Sequence, residues 1–115
     1  MAKIKHIAIK TKNPQKLAKF YEDVFGIYQT KTGHARGHTS RHMTDGNIYL
    51  SIVQYHSDAT AESRVAGPAP CIHHFGMEIV DPQKFFKSLQ AQGCTLISPE
   101  GEIPIKFHTP DGIVA

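Results

Sequence analysis

An internal repeat spans most of this sequence, and it limits the possible folds more than any other feature. Residues 3–25 align with residues 71–93 at a shift of 68, with identical residues at six of 23 positions. The identities include His6 with His74, and the Pro-Gln-Lys triplets that begin at Pro14 and Pro82. Chance alone gives about one or two such identities at average residue usage. The repeat therefore predicts one structural module that occurs twice.

The first half has the pattern of a strand, a helix and three further strands. Residues 4–10 alternate as a strand does, with Ile7 and Ile9 on one face and His6 and Ala8 on the other. Asn13 is a good N-cap with Pro14 in the first turn, and Gly26 is a typical helix stop. The apolar stripe of this helix is expected to comprise Leu17, Phe20, Tyr21, Val24 and Phe25. Strands are then predicted at residues 27–32, 39–44 and 47–55, the last two joined by an Asp-Gly turn.

The second half repeats this order. It predicts a strand at 72–80, a helix capped by Asp81 and ended by Gly93, and strands at 94–97 and 103–108. Only three residues follow the turn at Asp111, so the last strand is expected to be cut short. The predicted fold class is α+β with two βαβββ modules in a single domain, residues 1–115. Module 1 covers about 1–56 and module 2 about 71–115, joined by a polar, Gly- and Pro-rich linker at 57–70.

The βαβββ order, the matched histidines and the Pro-Asp-Gly turn near the C-terminus resemble the vicinal oxygen chelate superfamily. This superfamily comprises glyoxalase-like, bleomycin-resistance-like and extradiol dioxygenase-like proteins. The resemblance covers nearly the whole chain. It implies two curved modules that enclose a cup with a metal or ligand site inside, and it implies a homodimer. Whether the modules pair within one chain or between chains stays open.

The matched residues His6 and His74 are the strongest candidates for metal ligands, since neutral imidazole is a common ligand. The alternative is that each is a strand histidine with an ordinary hydrogen-bond partner. The resemblance implies a ligand at both positions and a carboxylate on the last strand, which would fall one residue after Ala115. The first-module equivalent is Leu50, which cannot coordinate, so two histidines with one carboxylate are favoured. The ion would be Fe, Mn, Ni, Co or Zn.

A second group of residues is expected to contact the substrate. His42 and its counterpart His108 would line the cup and bind substrate or move a proton. Arg41 could meet an anionic substrate, and Tyr49 is a further candidate. The alternative is that this segment, with His34 and His38, is a solvated loop and strand.

These residues predict a metal-dependent enzyme that chelates two neighbouring oxygens of a small molecule, either a glyoxalase-like lyase or isomerase or a dioxygenase. The alternative is a metal-free, ligand-sequestering protein of the bleomycin-resistance type. The formal charge of +3 is too small and too dispersed to indicate nucleic-acid binding. No apolar run approaches the length of a membrane span, and the N-terminus has no signal-peptide pattern. A cytoplasmic protein is expected.

Overall fold

The computed structural model describes residues 2–35, 38–57, 61–64, 67–99, 101 and 105–111. It contains seven strands and three helices in these ranges, in the predicted α+β class. Their order is β1 Lys3–Lys10, α1 Pro14–Phe25, β2 Tyr28–Ala35, β3 His38–Thr44, β4 Tyr49–Tyr55, α2 Ala61–Arg64, β5 Cys71–Glu78, α3 Pro82–Ala91, β6 Thr95–Leu96 and β7 Phe107–His108. The predicted final strand falls on residues 113–115, outside the described ranges.

Five strands form one sheet in the order β2-β3-β4-β1-β5, and β6 pairs with β7. Strand β1 runs parallel to β4 and antiparallel to β5. The first strands of the two halves are therefore direct neighbours within one chain. This pairing brings the repeated histidines to one place in the sheet.

Helix α1 begins and ends as its sequence predicts. The Asn13 side chain accepts a hydrogen bond from the backbone N–H of Lys16, and Gly26 follows the helix with a φ of 71°. Glycine adopts this left-handed conformation without the steric cost that a Cβ would bring.

The core lies between α1 and one face of the sheet, where Ala18, Met43 and Ile52 are buried. Leu17 and Tyr21 pack against it, as predicted. The rest of the predicted stripe is wrong: Phe20, Val24 and Phe25 are at least half exposed. The buried face of α1 is therefore centred on Ala18, and these three side chains lie beside it rather than on it.

The predicted linker contains the short helix α2, where Glu62 and Ser63 are both buried. Lys10, at the end of β1, is also buried and donates hydrogen bonds to the Ser63 carbonyl and hydroxyl oxygens. This segment is thus packed against β1. Within the described ranges, no helix has the length and apolarity needed to cross a membrane.

Candidate functional site

The face of the sheet opposite the core forms the wall of a cup with a volume of about 1060 Å³. Alternating residues of four strands line it, because successive strand side chains point to opposite faces. Residues of the second half of the chain outside the sheet, among them Phe85 and Lys106, also line the cup. Its aromatic and imidazole lining comprises His6, His38, His42, Tyr49, Tyr55 and His74, together with Phe85 and Phe107.

The strand pairing places His6 and His74 side by side in the cup. His6 lies opposite Gly76 and His74 opposite Ala8, so the two histidines are diagonal neighbours on antiparallel strands. Their ring centroids are 5.5 Å apart, with an angle of 81° between the ring planes. A side chain at position 76 would overlap the His6 ring, so glycine there makes room for the imidazole.

Both imidazoles are held in their neutral form. Burial, and after it the nearby Lys106 ammonium, lower the pKa of His74 to about 3. Burial also lowers the pKa of His6, and Lys106 acts in the same direction. A neutral imidazole has one unprotonated nitrogen, which is the form that binds a metal ion.

The separation of the two rings suits a shared divalent ion. A metal–nitrogen bond of about 2.1 Å places a ring centroid about 3.2 Å from the ion, so two rings on one ion lie about 4.5 to 5.5 Å apart. His6 and His74 fit this range. A complete ligand set is not found in the described part of the chain, where no three His, Cys, Asp or Glu side chains are grouped to hold an ion. The predicted carboxylate, beyond Ala115, stays a prediction.

His73, the residue before His74 on β5, makes a direct contact with it. The partners of Ala8 and Ile9 on β5 are His74 and Ile72, so the register shifts at His73. The Nδ1 atoms of the two rings are 2.8 Å apart. The Nε2 atom of His73 lies 2.7 Å from the backbone carbonyl oxygen of Glu62 in α2. Strand alternation predicts that His73 faces away from His74 and has a structural role. The predicted direction is wrong, because the register shift at this point of β5 brings the two rings together.

Three charged residues that the sequence does not assign to the site meet around helix α2. The Glu62 carboxylate forms an ion pair with Lys106, and its other oxygen lies 3.9 Å from His38 Nδ1. Lys10 donates a hydrogen bond of 2.7 Å to the Gly67 carbonyl and lies 5.8 Å from the centre of the Tyr55 ring. No motif marks these residues, because their contacts depend on the packing of α2 against β1.

His42 stands on β3 in the same cup, with a hydroxyl group at each ring nitrogen. Ser40 Oγ lies 3.1 Å from Nε2, and Ser51 Oγ lies 3.2 Å from Nδ1. Burial lowers the pKa of His42, and the nearby Lys31 lowers it further. The imidazole is therefore neutral and fixed in orientation, which suits a group that accepts or donates a proton.

Of the other predicted substrate residues, Tyr49 lines the cup, whereas Arg41 and His108 are not among the described residues that do so. Tyr49 lines the cup beside His6, its partner in the parallel pairing of β1 and β4. Arg41 lies on the core side of β3 and donates a hydrogen bond to the Gln29 side chain. His108 lies on β7 opposite Thr95 and is not among the described residues that line the cup. The structure thus brings four predicted residues together: His6, His42, Tyr49 and His74.

The whole sequence matches one family model. The Glyoxalase/Bleomycin resistance protein/Dioxygenase superfamily model aligns with residues 3–114. The chain belongs to this superfamily. A search of curated proteins found no significant match to this chain.

Solved structures of the same fold include several epimerases. A hypothetical protein from Bacillus halodurans has a TM-score of 0.80 and 13% identity, covering 98% of this chain and 90% of that chain. A methylmalonyl-CoA epimerase from Mycobacterium tuberculosis has a TM-score of 0.79 and 14% identity, covering 96% and 83%. A methylmalonyl-CoA epimerase in complex with methylmalonyl-CoA and NH4+ has a TM-score of 0.80 and 18% identity, covering 99% and 91%. At identities this low, the TM-scores show a shared fold and no more.

Proposed function

We propose that this chain is a divalent-metal-dependent isomerase that moves a proton next to the carbonyl group of a small acyl substrate. The observation that carries the proposal is the neutral pair His6 and His74, 5.5 Å apart in the cup. His6 and His74 would hold the ion. Lewis-acid polarisation of a substrate carbonyl is the chemistry that such an ion supplies when it is bound.

His42 is the proposed proton-transfer residue. Its neutral ring has one nitrogen without a proton, and the hydroxyl groups of Ser40 and Ser51 hold the ring in place. A neutral histidine can accept a proton from a substrate carbon and return one when that carbon lies within reach of the unprotonated nitrogen. Tyr49 lines the same cup and is proposed to contact the substrate.

An acyl thioester is the first substrate class to test. Methylmalonyl-CoA epimerases share the fold, and one is solved with methylmalonyl-CoA. A carboxylate on the acyl group would be attracted by the ammonium group of Lys31, which lines the cup near His42. An acyl group with a carboxylate and a carbonyl also presents two neighbouring oxygens for chelation. The proposal also includes a homodimer of this chain.

Hydrogen exchange with solvent tests this proposal. The protein is incubated in D₂O with methylmalonyl-CoA and Fe, Mn, Ni, Co or Zn, and deuterium at the carbon next to the carbonyl is followed by mass spectrometry. We expect exchange in the wild type and a loss of about 100-fold or more in His42→Asn. Metal binding without exchange of this or related acyl thioesters would contradict the isomerase.

A metal-free binding protein of the bleomycin-resistance type is the second candidate. It is favoured by one observation: the described residues provide two grouped ligands and not three. In that case the aromatic lining of the cup would bind an apolar ligand. Tight binding of a ligand by protein that takes up none of the five ions would support this second function.

A further inference from the structure

The contact between His73 and His74 determines which nitrogen of each ring carries a proton. The Glu62 carbonyl oxygen can only accept a hydrogen bond, so His73 Nε2, at 2.7 Å, must donate one. His73 is 6% exposed, and a charged imidazolium is costly at such a position. A neutral His73 with its proton on Nε2 has a bare Nδ1, which can only accept.

The second step follows from the distance of 2.8 Å between the Nδ1 atoms of His73 and His74. At this distance one nitrogen must donate to the other. Because His73 Nδ1 accepts, His74 Nδ1 is the donor. A neutral His74 with its proton on Nδ1 has an unprotonated Nε2.

We infer that His73 is a positioning residue, which transmits the orientation of the Glu62 carbonyl group to His74 and keeps His74 Nε2 free of its proton. His73 does not line the cup in the described part of the chain, so it acts through His74. The inference assigns Nε2 as the atom of His74 that is offered to a ligand in the cup.

Helix α2 explains why the carbonyl group of Glu62 is available and fixed. The Glu62 carbonyl group lies in the last turn of the short helix Ala61–Arg64, where a carbonyl oxygen receives no N–H donor from the helix itself. The helix is anchored at two points: Lys10 bonds Ser63, and Lys106 pairs with the Glu62 carboxylate. The carbonyl group is thus held against His73 by contacts from β1 and from the segment before β7.

The consequence for metal affinity rests on the proposed function, whereas the assignment of the protons does not. Partners that hydrogen-bond the second nitrogen of a metal-bound histidine fix its tautomer, and their loss typically lowers affinity about 10- to 100-fold. His73→Phe is expected to have an effect of this size. It keeps an aromatic ring beside Tyr55, whose ring centroid lies 5.3 Å from that of His73.

The test begins with metal-free protein labelled with ¹⁵N at histidine. Long-range ¹H–¹⁵N correlation spectra distinguish protonated from bare ring nitrogens, and single substitutions assign the signals. We expect the proton on Nε2 in His73 and on Nδ1 in His74. In His73→Phe, His74 is expected to move towards the Nε2–H tautomer. His73→Asn retains an amide oxygen close to the position of Nδ1 and is expected to restore the Nδ1–H form.

Zinc titrations of the same variants complete the test. Affinity is expected to fall about 10- to 100-fold in His73→Phe, to recover in His73→Asn, and to stay unchanged in the exposed control His56→Phe. Wild-type His74 with its proton on Nε2 would overturn the inference, whatever the metal result. The expected tautomers in a protein that binds no ion would uphold the inference and contradict the metal-dependent function.

Discussion

The His6 imidazole lies directly over the Cα of Gly76, its cross-strand partner on β5. A Cβ at position 76 would overlap the ring. Gly76→Ala is therefore expected to destabilise the protein by about 1–3 kcal/mol, the usual effect of overpacking. Urea denaturation measures the free energy of unfolding.

The control for this prediction is Gly76→Ala in a His6→Ala background. Without the imidazole the added methyl group has space, so the second substitution is expected to cost close to nothing. An equal loss of stability in both backgrounds would show that the backbone, and not the His6 ring, requires glycine at position 76.

The buried His74 makes stability depend on pH. Its pKa of about 3 in the folded protein lies below its value of about 6.5 in the unfolded chain. Between these values the unfolded state binds the extra proton, so the free energy of unfolding falls as pH decreases. The contribution of one such group is about 1.4 kcal/mol per pH unit. His6 and His42, whose pKa values are also lowered, act in the same direction.

Denaturation curves between pH 4.5 and 6.5 check this dependence. His74→Phe is expected to reduce the slope of the unfolding free energy against pH by about 1.4 kcal/mol per pH unit, which corresponds to one proton. The matched control is His56→Gln, at an exposed position near the end of β4, which is expected to keep the wild-type slope. The same slope in wild type and His74→Phe would contradict the account of His74 burial.

Much of the fold could be predicted from the sequence, because it depends on local signals and on the repeat. Asn13 with Pro14 and Asp81 with Pro82 are caps whose geometry is local, and both helices begin where these signals place them. The equivalence of His6 and His74 in the repeat marked them as a pair, and in the structure their ring centroids are 5.5 Å apart.

The buried charges could not be predicted in this way. Lys10 and Glu62 belong to residue types that are rarely buried, and the segment around Glu62 has no periodicity to mark a helix. Their burial depends on long-range contacts: Lys10 with Ser63, and Glu62 with Lys106. The hydroxyl pair around His42 was also missed, because Ser51 reaches the His42 ring only when β3 and β4 pair in the observed register, with His42 opposite Ser51.

The ion pair between Glu62 and Lys106 is expected to be important for stability. Both side chains are largely buried, so Glu62→Gln would leave the Lys106 charge without its carboxylate partner. Removing one partner of a buried pair typically costs about 3–5 kcal/mol. Asp23→Asn is the matched control, since Asp23 pairs with Lys19 on the surface and such pairs contribute less than about 1 kcal/mol. Similar losses in both variants would contradict this difference.

The serine hydroxyl groups beside His42 are expected to affect proton transfer and not substrate binding. Ser40→Ala and Ser51→Ala each remove one contact that holds the ring. A hydrogen bond of about 1.4 kcal/mol corresponds to a tenfold lower kcat in the deuterium-exchange assay, with KM unchanged. Ser88→Ala, on the exposed face of α3, is the control. An increase in KM alone would assign the two serines to substrate binding instead.

The central claim, that His6 and His74 together hold a divalent ion, is tested most directly by calorimetric titration with Fe, Mn, Ni, Co and Zn. The wild type is compared with His6→Ala, His74→Ala and the double variant, and with His108→Ala, which removes a histidine of β7. The account predicts one ion per chain in the wild type and in His108→Ala, and none in the double variant. Failure of the wild type to bind any of the five ions, or equal binding by the double variant, would contradict it.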